Sequence, residues 1–351
     1  MPETMQAAVY YGPEDLRVEG RPIPQINSRE ALIKVISTGI CGTDLRIYHG
    51  NHRLYPTGTV RIPGHEVVGV IQKVGSEVSS LNLGQKVFFA PNMGCGHCRH
   101  CISGNNNLCT NYQAPGVTYD GSFAEYMRVP EAGILQGNLI SLDEDTDPAA
   151  AALIEPFACV LRGQDVLNIR PGETVLVIGA GPIGIMHVLL ARLRGAGKVF
   201  VSELITERAK QAEAFGAAQV INPSESDIEA FVMDATKGEG ADVIVVAAPS
   251  RNAQEQALEL ASLRGRINFF GGLPKNQPII DFNSNLVHYK ELVVTGTTAC
   301  STDDCQRAAQ IVKSGQIDLS RLVGARYPLQ DAVPAFLAAE AGRSLKVILD
   351  I

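Results

Sequence analysis

Thr174-Val-Leu-Val-Ile-Gly179-Ala-Gly181-Pro182-Ile183-Gly184 is the stretch on which the fold turns. A continuous apolar run leads straight into Gly-x-Gly-x-x-Gly, and the helical pattern Ile185 to Leu193 follows at once. Such a run suits a strand covered on both faces, as in a parallel sheet. The glycines divide the work: Gly179 permits the tight turn, Gly181 lets backbone approach a pyrophosphate, and Gly184 packs helix on strand. Pro182 and Ile183 lie between them, at the helix amino terminus that receives the phosphates. The next strand-like run, Lys198 to Ser202, ends in Glu203. A carboxylate there accepts hydrogen bonds from the adenosine ribose and repels a 2′-phosphate. Arg208 could offset that repulsion or stack on the adenine, and the balance favours NAD over NADP. Strand, turn, helix and acid in this order argue against a plain Gly-rich turn.

Downstream, strand-like and helix-like runs alternate: Val199 to Val201, helical 206 to 216, Val220-Ile221, helical 225 to 236, Val243 to Ala247, helical 252 to 263, Ile267 to Phe270. This is the rhythm of a doubly wound α/β sheet. Upstream the texture differs. Ala7 to Tyr10, Ala31 to Ser37, Val67 to Val74 and Lys86 to Ala90 are short runs broken by Gly, Pro, Asn and Asp, which predict a turn-rich β domain. From about Leu292 come another β run, helical patterns at 303 to 314 and 330 to 342, and a final strand Leu345 to Ile351. The expected division is therefore 1–150 with 293–351 as a β-rich domain, and 151–292 as an inserted cofactor domain.

A length of 351 residues suits two cores, and a formal charge of −7 has the wrong sign for a dedicated binder of nucleic acid or anionic membrane. The first residues lack a basic stretch followed by an apolar core, and no segment approaches 18 uninterrupted apolar residues. The expectation is a cytoplasmic protein.

Cys95-Gly-His-Cys98-Arg-His-Cys101 and then Cys109 put four thiols in one loop. Four thiolates make a closed tetrahedral zinc site that staples the loop and leaves no place for substrate. The rivals are a disulfide pair or an iron-sulfur cluster, and His97 and His100 are read as solvent-facing.

The second constellation is Gly39-Ile-Cys41-Gly-Thr43-Asp44, followed by Pro63-Gly-His65-Glu66-Val-Val-Gly69, with Gly75 and Val78 at matching intervals. These segments, the four-cysteine loop, the Gly-rich turn and Glu203 together resemble the zinc-containing medium-chain dehydrogenases over most of the chain. Ile154-Glu155-Pro156 resembles the sorbitol (polyol) dehydrogenase branch, which has glutamate where other members have a zinc-binding cysteine. Cys159 is nearby but off that position.

The resemblance implies a GroES-like catalytic domain, a Rossmann NAD domain and two zinc ions, one catalytic and one structural. It implies that Cys41 and His65 ligate the catalytic zinc, with Glu66 and Glu155 supplying oxygen directly or through a water. It also implies a homo-oligomer, tetramer or dimer, built by pairing cofactor-domain sheets. Three protein ligands and one open position would let an alcohol lose its proton near neutral pH while hydride passes to the nicotinamide. Thr43 matches the hydroxyl that takes the substrate proton. Many relatives continue that relay with a histidine five positions after the cysteine, where this chain has Arg46; His49 is a possible substitute. Asp44 either orients the loop or holds His65.

The segment His49 to Gly58 is polar, which suits a hydroxyl-rich substrate. Arg46, Arg53 and Arg61 could meet a sugar phosphate or form a solvated face. Phe123 could wall the nicotinamide or belong to the core. Thr295-Gly-Thr-Thr-Ala299 lacks the Arg and aromatic residues of sorbitol dehydrogenases, so sorbitol itself is not implied. The expected reaction is oxidation of a secondary alcohol of a polyol or sugar derivative to its ketone. The alternatives are threonine-dehydrogenase-like amino-alcohol oxidation and a polyol phosphate, and a non-catalytic nucleotide-binding protein is the reading from another class.

Overall fold

The computed structural model describes residues 2–351. The chain divides into two units, one reaching Ala158 and resuming at Ala299–Ile351, the other Cys159–Thr298.

The second unit carries six parallel strands in the spatial order Gln219–Ile221, Lys198–Ser202, Thr174–Ile178, Ala241–Val246, Ala261–Phe269 and Val293–Gly296. Counted along the chain this is 3-2-1-4-5-6, the doubly wound dinucleotide order. The middle strands explain their unbroken apolar sequence: Val175 to Val177 and Val243 to Val246 are fully buried. Helix Ile228–Ala235 starts where the Asp227 side chain accepts from the N–H groups of Glu229 and Ala230.

Three expectations are corrected here. The helix expected over 252 to 263 stops at Leu260, because Ala261 turns extended and pairs with Ala241. Lys290 Nζ then donates to the carbonyls of Glu259 and Ala261 at 2.8 and 3.0 Å, satisfying groups that the helix end leaves open. The β run after Leu292, assigned to the β-rich domain, instead pairs in parallel with Arg266 to Phe269. Its β-branched composition marks a strand but carries no record of which sheet it joins. The division near residue 150 likewise falls later, because helix Ile154–Asp165 begins in the first unit.

In the first unit a seven-stranded sheet runs Val323–Pro328, Lys346–Asp350, Ala31–Gly39, Glu66–Val74, Lys86–Phe89 and Leu139–Ser141, with Tyr126–Val129 also pairing Ala31–Gly39. Strands Thr4–Gly12 and Asp15–Pro22 form a separate hairpin. Tyr10, Ile47, Tyr48, Phe123, Phe336 and Leu349 share one core, and Ile33, Val67, Phe89 and Met127 share another. One register matters for chemistry: the final strand lies antiparallel to Ala31–Gly39, with Ile348 opposite Gly39. The last residues of the chain thereby reach the segment that leads into Cys41.

Candidate active site and metal centres

Strand Ala31–Gly39 ends two residues before Cys41, which stands at the start of the short helix Gly42–Tyr48. Asp44, fully buried, ties two distant segments together. Its Oδ2 accepts from the Cys41 N–H at 2.9 Å, its Oδ1 accepts from the Gly64 N–H at 3.3 Å, and His65 Nδ1 lies 3.5 Å from Oδ1. The carboxylate therefore braces the loop, one of the two roles left open by the sequence, and its charge faces the imidazole of His65. Burial alone would lower the His65 pKa, but the Asp44 charge and hydrogen bond, with Cys41, hold it well above the usual histidine value.

Ligand atoms of Cys41, His65 and Glu66 lie within 4.8 Å of one another. A thiol, an imidazole and a carboxylate, two of them buried, suit a zinc ion. Glu66, however, is already engaged. Lys346 Nζ donates to its Oε1 at 2.6 Å, stands 2.5 Å from Oε2, and donates to the Ile40 carbonyl at 2.9 Å. Both side chains are buried, and a Cβ on Gly39 would stand 2.0 Å from Glu66 Oε2. Burial opposes the Lys346 charge, yet Glu66, Cys41 and Glu155 more than compensate and raise its pKa. Lys346 escaped the sequence reading. The available signal was a lone charge inside the apolar run Leu345 to Leu349.

Glu155 is buried in the first turn of its helix, and its Oε1 lies 3.7 Å from Cys300 Sγ. The cluster around Cys41 does not include it.

Thr43 Oγ1 accepts from the Arg46 guanidinium at 3.4 Å. A guanidinium does not give up its proton in a protein, so Arg46 orients the hydroxyl and does not relay. His49 is tied to Glu340 at 2.6 Å and to Glu14 at 3.3 Å, contacts that raise its pKa and occupy both ring nitrogens. His52 is held neutral: burial first, then Arg46 and Arg53, lower its pKa to about 4. Arg61 donates to the carbonyls of Leu54 and Val117 and lies over the Tyr55 ring. That guanidinium is committed to the fold. Phe123, fully buried and edge-on to Phe336 at 5.6 Å, belongs to the core.

In the four-cysteine loop the sulfurs of Cys98 lie 3.5 Å from Cys101 and 3.8 Å from Cys109, and Cys95 lies 4.0 Å from Cys101. Tetrahedral bonds of about 2.3 Å space thiolates about 3.8 Å apart, whereas a disulfide needs about 2.05 Å. The donor set fits zinc. Backbone N–H groups of Cys95 and Asn111 point at Cys109 Sγ at 3.3 Å, and those of His97 and Cys98 hold the Cys95 thiol down to about 6. Cys98→Ser is expected to lower stability by several kcal/mol with substrate KM little changed, as thermal unfolding and kinetics together would show. A variant of normal melting temperature without activity would reverse the two metal assignments.

At the Gly-rich turn, Gly179 has φ +101°, and a Cβ on Gly184 would stand 1.8 Å from the Gly179 carbonyl oxygen. Among the described residues, no atom beyond the adjoining backbone lies within 4 Å of a Cβ position on Gly181, so packing there does not demand glycine. Gly181 stands before Pro182 at the start of helix Pro182–Leu193, without a side-chain cap. Glu203 is buried, with Oε2 accepting from the Ala180 N–H at 2.6 Å and Oε1 from the Ile205 N–H at 2.8 Å. The acid thus also braces the turn. Arg208, half-buried, lies on the helix that follows, Thr206–Ala214.

Sequence profiles of the alcohol dehydrogenase GroES-like domain and of zinc-binding dehydrogenases match residues 27–138 and 182–314. L-threonine 3-dehydrogenase of Chromobacterium violaceum is 32% identical over 94% of both chains. L-galactonate-5-dehydrogenase of Escherichia coli K12 is 34% identical over 93% of this chain and 92% of its own. A Sinorhizobium meliloti 1021 structure, described as a zinc-binding dehydrogenase bound to NADP, superposes with a TM-score of 0.91 at 31% identity over 100% of both chains. Among the described residues no helix is long and apolar enough to cross a membrane. The chain belongs to the zinc-containing medium-chain dehydrogenases, oxidoreductases that act on CH–OH groups with a nicotinamide cofactor.

Proposed function

We propose that this enzyme uses NAD to oxidise the secondary alcohol of an unphosphorylated polyol or sugar derivative to the ketone. The observation that carries the reading is the junction at Asp44, which joins the Cys41 and His65 segments beside the hydroxyl of Thr43. Cys41 and His65 would hold zinc with Glu155, while Glu66 stays with Lys346 outside the ligand set. When bound, zinc supplies a Lewis acid that favours loss of the alcohol proton. Thr43 takes that proton, its lone pair steadied by Arg46.

Arg61 being engaged by carbonyls leaves fewer cations for a substrate phosphate, which supports the unphosphorylated reading. The threonine and galactonate enzymes support a secondary alcohol beside polar groups. The test is NAD reduction over polyols, sugar acids, polyol phosphates and L-threonine. Highest kcat/KM on a polyol or sugar acid supports the proposal, and highest kcat/KM on threonine replaces it with amino-alcohol oxidation.

Glu203 underlies the choice of NAD, although the Sinorhizobium relative binds NADP. Glu203→Ala is expected to raise the KM for NAD about tenfold, from loss of hydrogen bonds to a charged group, and to lower that for NADP. An unchanged ratio of the two would remove Glu203 from cofactor selection. Copies of the chain are proposed to pair along strand Val293–Gly296, the outer edge of its sheet, near exposed Phe282 and Tyr289. Light scattering of the purified protein reads the oligomer directly.

A further inference from the structure

Ala299 has φ +53°, in the left-handed region that residues with a Cβ seldom occupy. A backbone held there needs surroundings that over-determine it, and such positions gather at functional sites. The residue that follows, Cys300, is fully buried. Its carbonyl accepts from the Asn92 side-chain N–H at 2.8 Å, and Ser301, directly after it, caps helix Thr302–Lys313 in a box with Asp304. The turn is pinned on both sides, and with it the Cys300 side chain.

That side chain carries a run of hydrogen bonds toward a carboxylate. Tyr112 Oη donates to Asn92 Oδ1 at 2.7 Å, Asn92 Nδ2 donates to Cys300 Sγ at 3.5 Å, and Cys300 Sγ donates to Glu155 Oε1 at 3.7 Å. Cys305 Sγ packs against the same sulfur at 3.5 Å. Asn92 is anchored in turn, because its backbone carbonyl accepts from the side chains of Asn106 and Asn138 at 2.5 and 3.0 Å. A buried cysteine is ordinarily a small apolar residue, but filling space requires neither the donor behind this sulfur nor the acceptor in front of it. A thiol is a neutral donor, so it orients Glu155 without competing with a cation for its charge. Lys346 does the opposite at Glu66, where it brings a full charge to both oxygens.

We propose that Cys300 is a positioning residue: its thiol holds the Glu155 carboxylate in the orientation that serves the zinc proposed at Cys41 and His65. This rests on the place of Glu155 proposed above. Groups that ligate a metal are oriented by hydrogen bonds from behind, and removing such a partner costs about 10–100-fold in metal affinity or activity.

The test follows zinc release from the loaded enzyme to a chromogenic chelator, with kcat measured alongside. Cys300→Ala and Cys300→Val keep the position apolar and remove the donor, and using both keeps the comparison if one fails to fold. Cys300→Ser keeps a donor and adds polarity. The apolar variants are expected to release one zinc about tenfold faster or more and to lose kcat, with the four-cysteine zinc retained as the sign of an intact fold. Serine is expected to recover most of both. A residue that only filled space gives the reverse order, with the apolar variants near wild type and serine impaired, and that order overturns the proposal. Glu155→Gln separates the two readings. If it leaves zinc release unchanged, the ligand assignment fails and the role of Cys300 with it; if it speeds release and the apolar Cys300 variants do not, only the role of Cys300 fails. In the Glu155→Gln background Cys300→Ala is expected to add nothing, because a residue that acts through Glu155 has no other route, and additive losses overturn the coupling.

Discussion

Cys41→Ser is expected to lower kcat by about 10³-fold or more while leaving NAD affinity within a few-fold of wild type. Serine keeps the shape of the loop and its N–H bond to Asp44, but an alcohol side chain remains protonated at neutral pH and makes a poor metal ligand. A catalytic metal supplies several kcal/mol of charge stabilisation in the transition state, and about 4 kcal/mol corresponds to about 10³ in rate. The Gly179 to Gly184 turn and Glu203 belong to the other unit of the chain, so nucleotide binding, followed by fluorescence titration, has no reason to follow. Metal analysis should find one zinc lost and the four-cysteine zinc retained. Wild-type turnover in the serine variant would take zinc out of the mechanism.

Lys346→Met carries the largest expected change in stability, a loss of about 3–5 kcal/mol, because it strands the Glu66 carboxylate without its cation. Glu66 is fully buried and Lys346 nearly so, and the ammonium is close to both carboxylate oxygens. Removing one partner leaves a buried charge without its counter-ion, and that also disturbs the metal set beside it. The double variant Lys346→Met with Glu66→Leu should recover most of the loss, since an apolar pair of similar volume has no charge to desolvate. Denaturant unfolding of the metal-free chains gives the comparison without the contribution of zinc. A change below about 1 kcal/mol in the single variant would show that water reaches the pair and that Glu66 is free to move.

Several features were legible without coordinates because each is local. Thr174 to Ile178 is a strand at the bounds expected, since four consecutive apolar residues, three of them β-branched, before a glycine turn have few other uses. The turn follows for a steric reason that short-range sequence carries: Gly184 must pass within contact distance of the Gly179 carbonyl. The four cysteines could be grouped because they lie in one loop, and one loop can close on one ion.

What sequence by itself determined, then, is the doubly wound cofactor unit, the four-thiolate loop and the family to which the chain belongs. All rest on motifs whose residues are neighbours in the chain. Tertiary structure alone decided that Val293–Gly296 extends the cofactor sheet, that Lys346 reaches Glu66, and that Asp44 bridges Cys41 and Gly64. It also decided that Glu155 meets Cys300. In each case the partners lie far apart along the chain, or a strand could join either of two sheets. Hydrophobic periodicity records which face of an element is buried, and it holds no record of what that face is buried against.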